Sequence, residues 1–237
     1  MRAEQYTWEQ IVDILIHEYE SGSFQKDQKL PTENELSVRF FVPRTVIRKA
    51  YEKLKSLGYI YSVRGFGSYF KGRQNKILLK LNDRLSFSEK MKQNGYHYYV
   101  KNIECKKIEA TAPIYQKMHV SSPHTIYRIS LLRMVDQEPV AIHSTLLSSH
   151  LFADLAQNGA SVVSVYDYMH SHGFPSPSDT DMELTVTLLN EKQRKLLGIT
   201  GCETGLTLSS RCIESSTHQL LGYSSIVYRC DKFKFLL

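Results

Sequence analysis

Two helix-start signals lie close together near the N-terminus and fix most of what the residues around them can do. Thr32 with Glu35 three positions later is a capping box: each side chain reaches a backbone N–H that the opening turn of a helix leaves without a partner. Pro43 is suited to open the next helix, where its missing N–H costs nothing. Phe41-Val42 has room only for a turn. Leu36 and Phe40 lie one turn apart on the inner face of the first helix. The second is expected from about Arg44 to Leu57, ending at Gly58, with Ile47, Ala50, Tyr51, Leu54 and Leu57 as its buried stripe.

A short helix, a turn of about three or four residues and a second helix with a basic N-terminal face form a helix-turn-helix. Arg44 and Arg48 share that face, with Thr45 and Lys49 beside them. Upstream, Trp8, Ile11, Val12, Leu15 and Tyr19 recur at helical spacing, and Gly22 can supply a left-handed stop. Downstream, Tyr59–Val63 and Ser68–Phe70 read as strands around Arg64-Gly65-Phe66-Gly67, a tight hairpin tip. Helix, helix-turn-helix and hairpin in this order describe a winged helix.

The charge distribution points the same way. The chain nets +6, yet residues 26–76 alone carry twelve bases and four acids. Such a block favours a polyanion, because neutralised phosphates release condensed counterions. Charge alone does not separate this from a solvated basic face.

Residues 6–70 resemble the winged-helix DNA-binding domain of the GntR family of bacterial transcription regulators. The resemblance rests on Lys29-Leu30-Pro31-Thr32-Glu33-x-Glu35-Leu36, Phe40-x-Val42-x-Arg44, Arg48-x-Ala50-x-x-x-Leu54-x-x-x-Gly58 and Gly65-x-Gly67-Ser68-Tyr69, in that order. It implies double-stranded operator DNA as partner. Arg44 and Arg48 are then the base- and phosphate-contacting arginines, an arginine fork pairing with guanine O6 and N7. Thr32, Thr45 and Lys49 touch phosphates, and Arg64, Gly65 and Gly67 carry the wing toward the minor groove. Asn34 stands where the family commonly has an arginine and contacts a base or phosphate without charge. Val46 replaces a threonine and Phe66 a wing lysine, so no operator sequence transfers.

The expected boundaries are a head over 1–71, a polar basic linker over 72–81 and a second domain over 82–237. In the latter, a helix with Ser88 as N-cap ends near Gly95, a strand covers about Tyr98–Glu109, and a small helix follows Pro113. Thr125–Val135 and Pro139–Leu147 form a hairpin. Helices are expected near His150–Asn158 and Ser164–His172, a strand at Glu183–Leu189, and a helix from Asn190 to Gly198. Strands at Gly205–Ile213 and Leu221–Arg229 complete an α+β domain around an antiparallel sheet.

This half resembles the effector-binding (UTRA-type) domain of the HutC subfamily of GntR regulators, whose fold is chorismate-lyase-like. Its landmarks are Ser86-Phe87-Ser88-Glu89, the Arg133 strand with its turn and Pro139, Ser164-Val165-Tyr166, and Tyr228-Arg229-x-Asp231-x-Phe233. The resemblance implies a homodimer and a small anionic effector, with sugar phosphates among the candidates. The effector-binding residues it implies are Phe87, Ser88, Arg133, His143, Ser164, Tyr166, Tyr223 and Tyr228. Leu131 stands where sugar-phosphate responders often carry a second arginine, His143 where many have a glutamate, and Gly222 where another acid is common. From the residues alone, Arg133 lies mid-strand among apolar neighbours, where it either pairs with an acid or faces a cavity that accepts an anion. The dimer is implied by the family resemblance, and an exposed apolar edge on the C-terminal sheet would be its physical counterpart.

Catalysis finds little support. His143 and Ser144 are strand neighbours pointing to opposite faces, and at i and i+2 on a helix the rings of His170 and His172 diverge, so no catalytic pair and no metal site are expected. No cofactor motif occurs. The rival reading is an enzyme that uses the C-terminal pocket with the basic head as a DNA tether. Cys105, Cys202, Cys212 and Cys230 are irregularly spaced and fit reduced thiols in a cytoplasm. No apolar run approaches the ~18 residues that cross a bilayer, and Met1-Arg2-Ala3-Glu4 leads into a polar stretch unlike a signal peptide. The sequence thus reads as a cytoplasmic, ligand-responsive transcription regulator, a repressor by preference.

Overall fold

The computed structural model describes residues 6–25, 27–71, 76–80, 87–109, 111–118, 125–199 and 203–236. The chain divides into two compact units, residues 1–76 and 77–237.

The first unit opens with α1 (Trp8–Glu20), whose Thr7 and Gln10 form a capping box. α2 (Glu33–Phe40) begins at the Thr32–Glu35 box read from the sequence, and α3 (Arg44–Ser56) begins directly after Pro43. Between them Phe41 turns the chain in the left-handed region, at φ 53°. Ile11, Leu15, Leu36, Ile47, Ala50 and Leu54 are fully buried in one core with Phe70. Burying each such aliphatic side chain is worth roughly 1.5–3 kcal/mol, which makes the helix stripes the main source of stability here. β1 (Ile60–Val63) and β2 (Gly67–Phe70) pair antiparallel as the wing. Gly65 adopts φ 82° at the third position of the turn closed by Phe66 N–H to the Val63 carbonyl, as a type II turn demands.

The second unit contains a six-stranded antiparallel sheet. β3 (Ile77–Lys80) is followed by α4 (Phe87–Gln93), β4 (Tyr98–Ile108), α5 (Ala112–Met118), β5 (Ile126–Val135) and β6 (Glu138–Ser148). Then come α6 (Leu155–Asn158), a 3-10 turn (Gly159–Ser161), α7 (Val165–Ser171), β7 (Pro177–Leu188), α8 (Glu191–Leu197), β8 (Thr204–Glu214), β9 (Leu220–Arg229) and β10 (Phe233–Leu236). The sheet runs β4-β5-β6-β9-β8-β7. On one face pack α4, α6 and α7, over Ile129, Leu131, Leu147 and Cys212 at one end and Ala141 and Tyr228 at the other. On the opposite face α8 covers Leu132, Met134, Ile142 and Val227. Lys192 of α8 is tied to that face through Glu104, which also binds Arg128 at 2.8 Å. Burial pushes the Glu104 carboxyl up, but these cations and Lys106 outweigh it and hold the pKa at about 2.

Several expectations need correction. Ile77–Lys80, inside the expected linker, is a strand paired in parallel with β10. β7 starts at Pro177 rather than Glu183, because a bulge between Thr180 and Glu183 with Asp181 at φ 50° interrupts its alternation. The helix expected over His150–Asn158 shrinks to four residues and a 3-10 turn. Ser88 does not cap α4: the helix already includes Phe87, so Ser88 sits exposed in its first turn. Ser86 lies outside the described residues.

Candidate functional site

In the first unit, the N-terminal turns of α3 present Arg44 and Arg48 side by side. Both guanidinium groups stand near one carboxylate oxygen of Glu33, with Nη2 at 3.7 and 3.6 Å, and their side chains are 58% and 59% exposed. These distances exceed a hydrogen bond. Exposed pairs of this kind are worth at most ~1 kcal/mol. Glu33 therefore keeps the two forks together without locking them inward. Thr45 and Lys49 are exposed on the same helix, as are Thr32 and Asn34 at the start of α2. The Thr32 hydroxyl accepts from the Glu35 N–H at 3.2 Å, so its cap role is already filled. At the wing tip Arg64, Gly65 and Gly67 are exposed, and so is Phe66. A methyl group on Gly67 would lie 3.0 Å from Lys29 Cε. Lys29 thus lies against the wing, a cation the sequence motif contained without singling it out.

In the second unit, cross-strand register puts a polar band on one sheet face. Arg133 of β5, His143 and Thr145 of β6, Ser224 of β9 and Ser210 of β8 all project from that face, and all are buried. Arg133 Nη2 lies 2.8 Å from His143 Nδ1; His143 Nε2 lies 2.7 Å from Ser224 Oγ and 3.1 Å from Thr145 Oγ1. Ser210 donates to Asp179 Oδ1 of β7 at 2.9 Å. Apolar clusters flank the band on both sides. The Arg133 guanidinium carbon sits 4.4 Å above the Phe87 ring, a cation–π contact that also brings α4 to the site. Among the described residues no carboxylate is seen against Arg133, and its Nη1 is buried without a hydrogen bond.

The titrations follow from this packing. Burial, with Arg133 beside it, holds His143 well below the usual imidazole value, so the ring is neutral. Burial pushes the Tyr228 phenol up to about 12, while Arg133 pulls against it. Burial raises Tyr166 further, and the Asp179 carboxylate adds to the effect.

The structure therefore gathers Phe87, Arg133, His143 and Tyr228 of the sequence-derived set. Tyr166 reaches the far end of the same face beside Asp179 and Cys212. Ser164 caps α7, accepting from the Asp167 N–H at 3.3 Å. Tyr223 does not join them. It lies on the opposite face, where the Lys117 ammonium sits 4.6 Å from its ring centre. Ser224, Thr145, Ser210 and Asp179 were missed; strand alternation from Tyr228 and His143 would have found the first two. Ser144 pairs with Ser130 on the other face, and His172 Nε2 lies 2.8 Å from Asp154 Oδ1. Among the described residues no helix is long and apolar enough to cross a membrane.

A winged helix with two outward arginines, joined in one chain to an antiparallel-sheet effector domain, defines a DNA-binding transcription regulator. The model of the bacterial regulatory proteins of the gntR family matches residues 7–70, and that of the UTRA domain matches residues 93–234. The chain belongs to the GntR family of regulators that carry a UTRA domain. It is 25% identical over 228 residues to the HTH-type transcriptional repressor NagR of Bacillus subtilis, covering 96% of this chain and 92% of that one. It is 23% identical to the mannosyl-D-glycerate transport/metabolism system repressor MngR of Escherichia coli, covering 97% of this chain and 94% of that one. The crystal structure of PhnF from Mycobacterium smegmatis shares the fold, with a TM-score of 0.61 at 20% identity over 90% of this chain and 92% of that one.

Proposed function

We propose that the chain is a homodimeric cytoplasmic repressor whose operator binding is modulated by a small anionic metabolite held around Arg133. The observation that carries this is the Arg133 guanidinium: it is buried, it has no carboxylate among the described residues, and one of its nitrogens has no hydrogen-bond partner. A buried cation without a counter-charge is costly unless something supplies one. An acidic ligand group would do so, with the hydroxyls of Ser224 and Thr145, the Tyr228 phenol and the Phe87 ring around it. A sugar phosphate or sugar acid has both the charge and the hydroxyls for this band. Two repressors among the relatives, one named for a sugar derivative, agree with the assignment.

On the DNA side, Arg44 and Arg48 read base edges while Thr32, Asn34, Thr45, Lys49, Arg64 and the Gly65–Gly67 tip hold phosphates and the minor groove. The head extends to about residue 71, and residues from 77 onward belong to the effector domain. Paired heads would read half-sites about one helical turn apart. A ligand that binds one domain arrangement better shifts the population toward it and so changes operator affinity. The test is a titration of labelled DNA from upstream of the protein's own gene, with and without a panel of sugar phosphates and sugar acids. A specific complex whose affinity one of these changes supports the reading; specific binding that no anion alters, together with no ligand-induced thermal stabilisation, removes the effector half.

A further inference from the structure

The polar band of the second unit holds a single positive charge. Among the described residues its one cation is Arg133, 9% exposed, with Nη2 donating to His143 and Nη1 buried without a partner. Lys232 and Arg229, also largely buried, are each held by a carboxylate of their own, Glu138 and Asp231. His143 does not add a second charge. Its Nδ1 faces a group that has only donors, so a proton there would set N–H against N–H and break the bond. Burial and the nearby guanidinium oppose the same protonation. The Tyr228 phenol, pushed up to about 12 by burial, stays neutral as well. Across the same face the strip ends on the opposite sign. Ser224 and Ser210 are register partners on β9 and β8, and Ser210 donates to Asp179 Oδ1 on β7 at 2.9 Å, with Tyr166 of α7 beside that carboxylate. From Arg133 to Asp179 the side chains thus run cation, imidazole, hydroxyl, hydroxyl, carboxylate, one from each of five strands.

We propose that the effector is a hydroxylated monocarboxylate, a sugar acid, and that this site discriminates against phosphate monoesters by charge. This rests on the effector reading above and narrows its ligand class. A carboxylate is planar and carries one negative charge. Laid in the plane of the guanidinium it takes up the free Nη1 and makes the pair neutral, while the Phe87 ring covers the guanidinium face. A phosphate monoester carries about −1.5 to −2 near pH 7. Set against one guanidinium, it leaves a surplus of negative charge in a band flanked by apolar clusters, and an unpaired buried charge is the costly case. Protonating His143 would not offset that surplus without giving up the bond that orients Arg133. At the far end, Asp179 repels a second anionic group and accepts from hydroxyls. The ligand's hydroxyls therefore belong on the carbons distal to its carboxylate, and a dicarboxylate is disfavoured for the same reason as a phosphate.

The test compares acids and phosphates built on the same carbon skeletons, using the full chain. D-gluconate and D-glucuronate are set beside D-glucose 6-phosphate, D-galacturonate beside D-galactose 6-phosphate, and D-mannonate beside D-mannose 6-phosphate, with D-glucarate as the dianionic control. Thermal midpoints and calorimetric titrations are taken for the wild type and for Arg133→Met at a series of pH values from 6 to 8. At least one monocarboxylate is expected to stabilise the wild type and to bind roughly tenfold or more tightly than its matched phosphate, the penalty of the unpaired charge. Its affinity should be level across this range, whereas whatever phosphate binding exists should strengthen as pH falls toward about 6, where the monoester becomes a monoanion. Arg133→Met should lose the response to the acids. Phosphates that bind as tightly as the matched acids overturn the proposal and leave an anionic effector at Arg133 in place. Stabilisation by the acids that Arg133→Met retains overturns the seat given to the carboxylate. If no acid and no phosphate shifts the midpoint or changes operator affinity, the proposal and the effector half of the reading fall together.

Discussion

Arg133 and His143 share one hydrogen bond, Nη2 to Nδ1 at 2.8 Å, and its direction is fixed. A guanidinium has only donors, so Nδ1 accepts and the neutral ring carries its proton on Nε2. That proton goes to Ser224 Oγ or Thr145 Oγ1. The histidine cannot neutralise the arginine; it can only orient it. One guanidinium charge remains at the centre of the polar band, and among the described residues the side chains touching it are a neutral imidazole and aromatic rings.

Replacing Arg133 separates a structural role from ligand binding. Removing an uncompensated buried charge in favour of an apolar side chain of similar length is expected to leave the unliganded protein as stable as the wild type, or more stable by about 1 kcal/mol or more. Arg133→Met should therefore keep its thermal midpoint and its DNA affinity, yet lose any stabilisation by sugar phosphates or sugar acids. A variant that melts far lower but still responds to the anion would refute this account of the site.

The burial of His143 makes stability depend on pH in one direction. Its folded pKa lies well below the ordinary imidazole value of 6.5, so as pH falls through that value the unfolded chain takes up a proton that the folded ring refuses. Folding stability from this group is complete above that range and is lost as pH drops below it, with a slope of up to about 1.4 kcal/mol per pH unit. Urea unfolding at a series of pH values from neutral to mildly acidic should show this slope in the wild type and a shallower one in His143→Gln. Equal slopes would mean that His143 is not held neutral. Loss of the Glu104 contacts belongs to a lower window, because that carboxylate stays ionised down to about 2.

At the DNA face, the roles of charge and shape differ in what salt does to them. Arg44→Ala should weaken a specific operator by about 1–3 kcal/mol more than random DNA, the worth of a bidentate base contact. Phe66→Lys adds a cation at the exposed wing tip and should strengthen binding to any sequence, steepening the salt dependence by about 0.9 in log–log slope for one further phosphate. Glu33→Gln removes the carboxylate near both arginines and should also raise affinity without regard to sequence. Fluorescence anisotropy on operator and scrambled duplexes across a salt series distinguishes the three. Equal losses on both duplexes for Arg44→Ala would remove its base-reading role.

How much of this was legible beforehand follows the range of the interactions. The Thr32–Glu35 box and Pro43 act within one helical turn, so α2, α3 and the placement of Arg44 could be read directly. The pairing of Ile77–Lys80 with Phe233–Leu236 joins opposite ends of the second unit, and no local pattern announces it. β7 was half hidden because Pro177 and the left-handed Asp181 look like loop signals although the strand continues through the bulge. Tyr223 was misplaced for a reason the sequence did contain: it lies five positions from Tyr228 in an unbulged stretch of β9, and an odd separation puts the two on opposite faces. The same parity would have recovered Ser224. Asp179 could not be recovered that way, since its position opposite Cys212 depends on the bulge.

Phe41 offers a test of strain at the turn. It holds φ 53° at the end of α2 and is 83% exposed, so it pays for a left-handed backbone without burying its ring. For a side chain with Cβ that conformation costs roughly 1–2 kcal/mol, which glycine avoids. Phe41→Gly is expected to stabilise the head by about 1 kcal/mol, after glycine's own entropy cost in the unfolded chain is taken off. Chemical denaturation of the full chain, followed by the fluorescence of Trp8 in α1, reads this unit. A destabilised variant would show that the exposed ring makes a contact worth more than the strain.

The family resemblance led to the expectation of an acid at position 222, where this chain has glycine, and the packing around Gly222 leaves no room for one. A Cβ at that position would lie 2.7 Å from the Leu146 carbonyl oxygen and 2.9 Å from Leu147 Cδ2. The first of these is backbone in the adjacent strand and cannot swing aside. β6 and β9 approach too closely here for any side chain, so an acid cannot be restored by substitution alone. Gly222→Ala is expected to cost about 1–3 kcal/mol through forced separation of the two strands, and Gly222→Glu more, with no gain in recognition of ligand hydroxyls. Urea midpoints of the two variants check the size. The effector response of whatever Gly222→Glu protein folds checks the chemistry: a glutamate that folded normally and changed ligand preference would mean the strands can open to admit it, and the absence of an acid here would then be a choice of ligand rather than a limit set by packing.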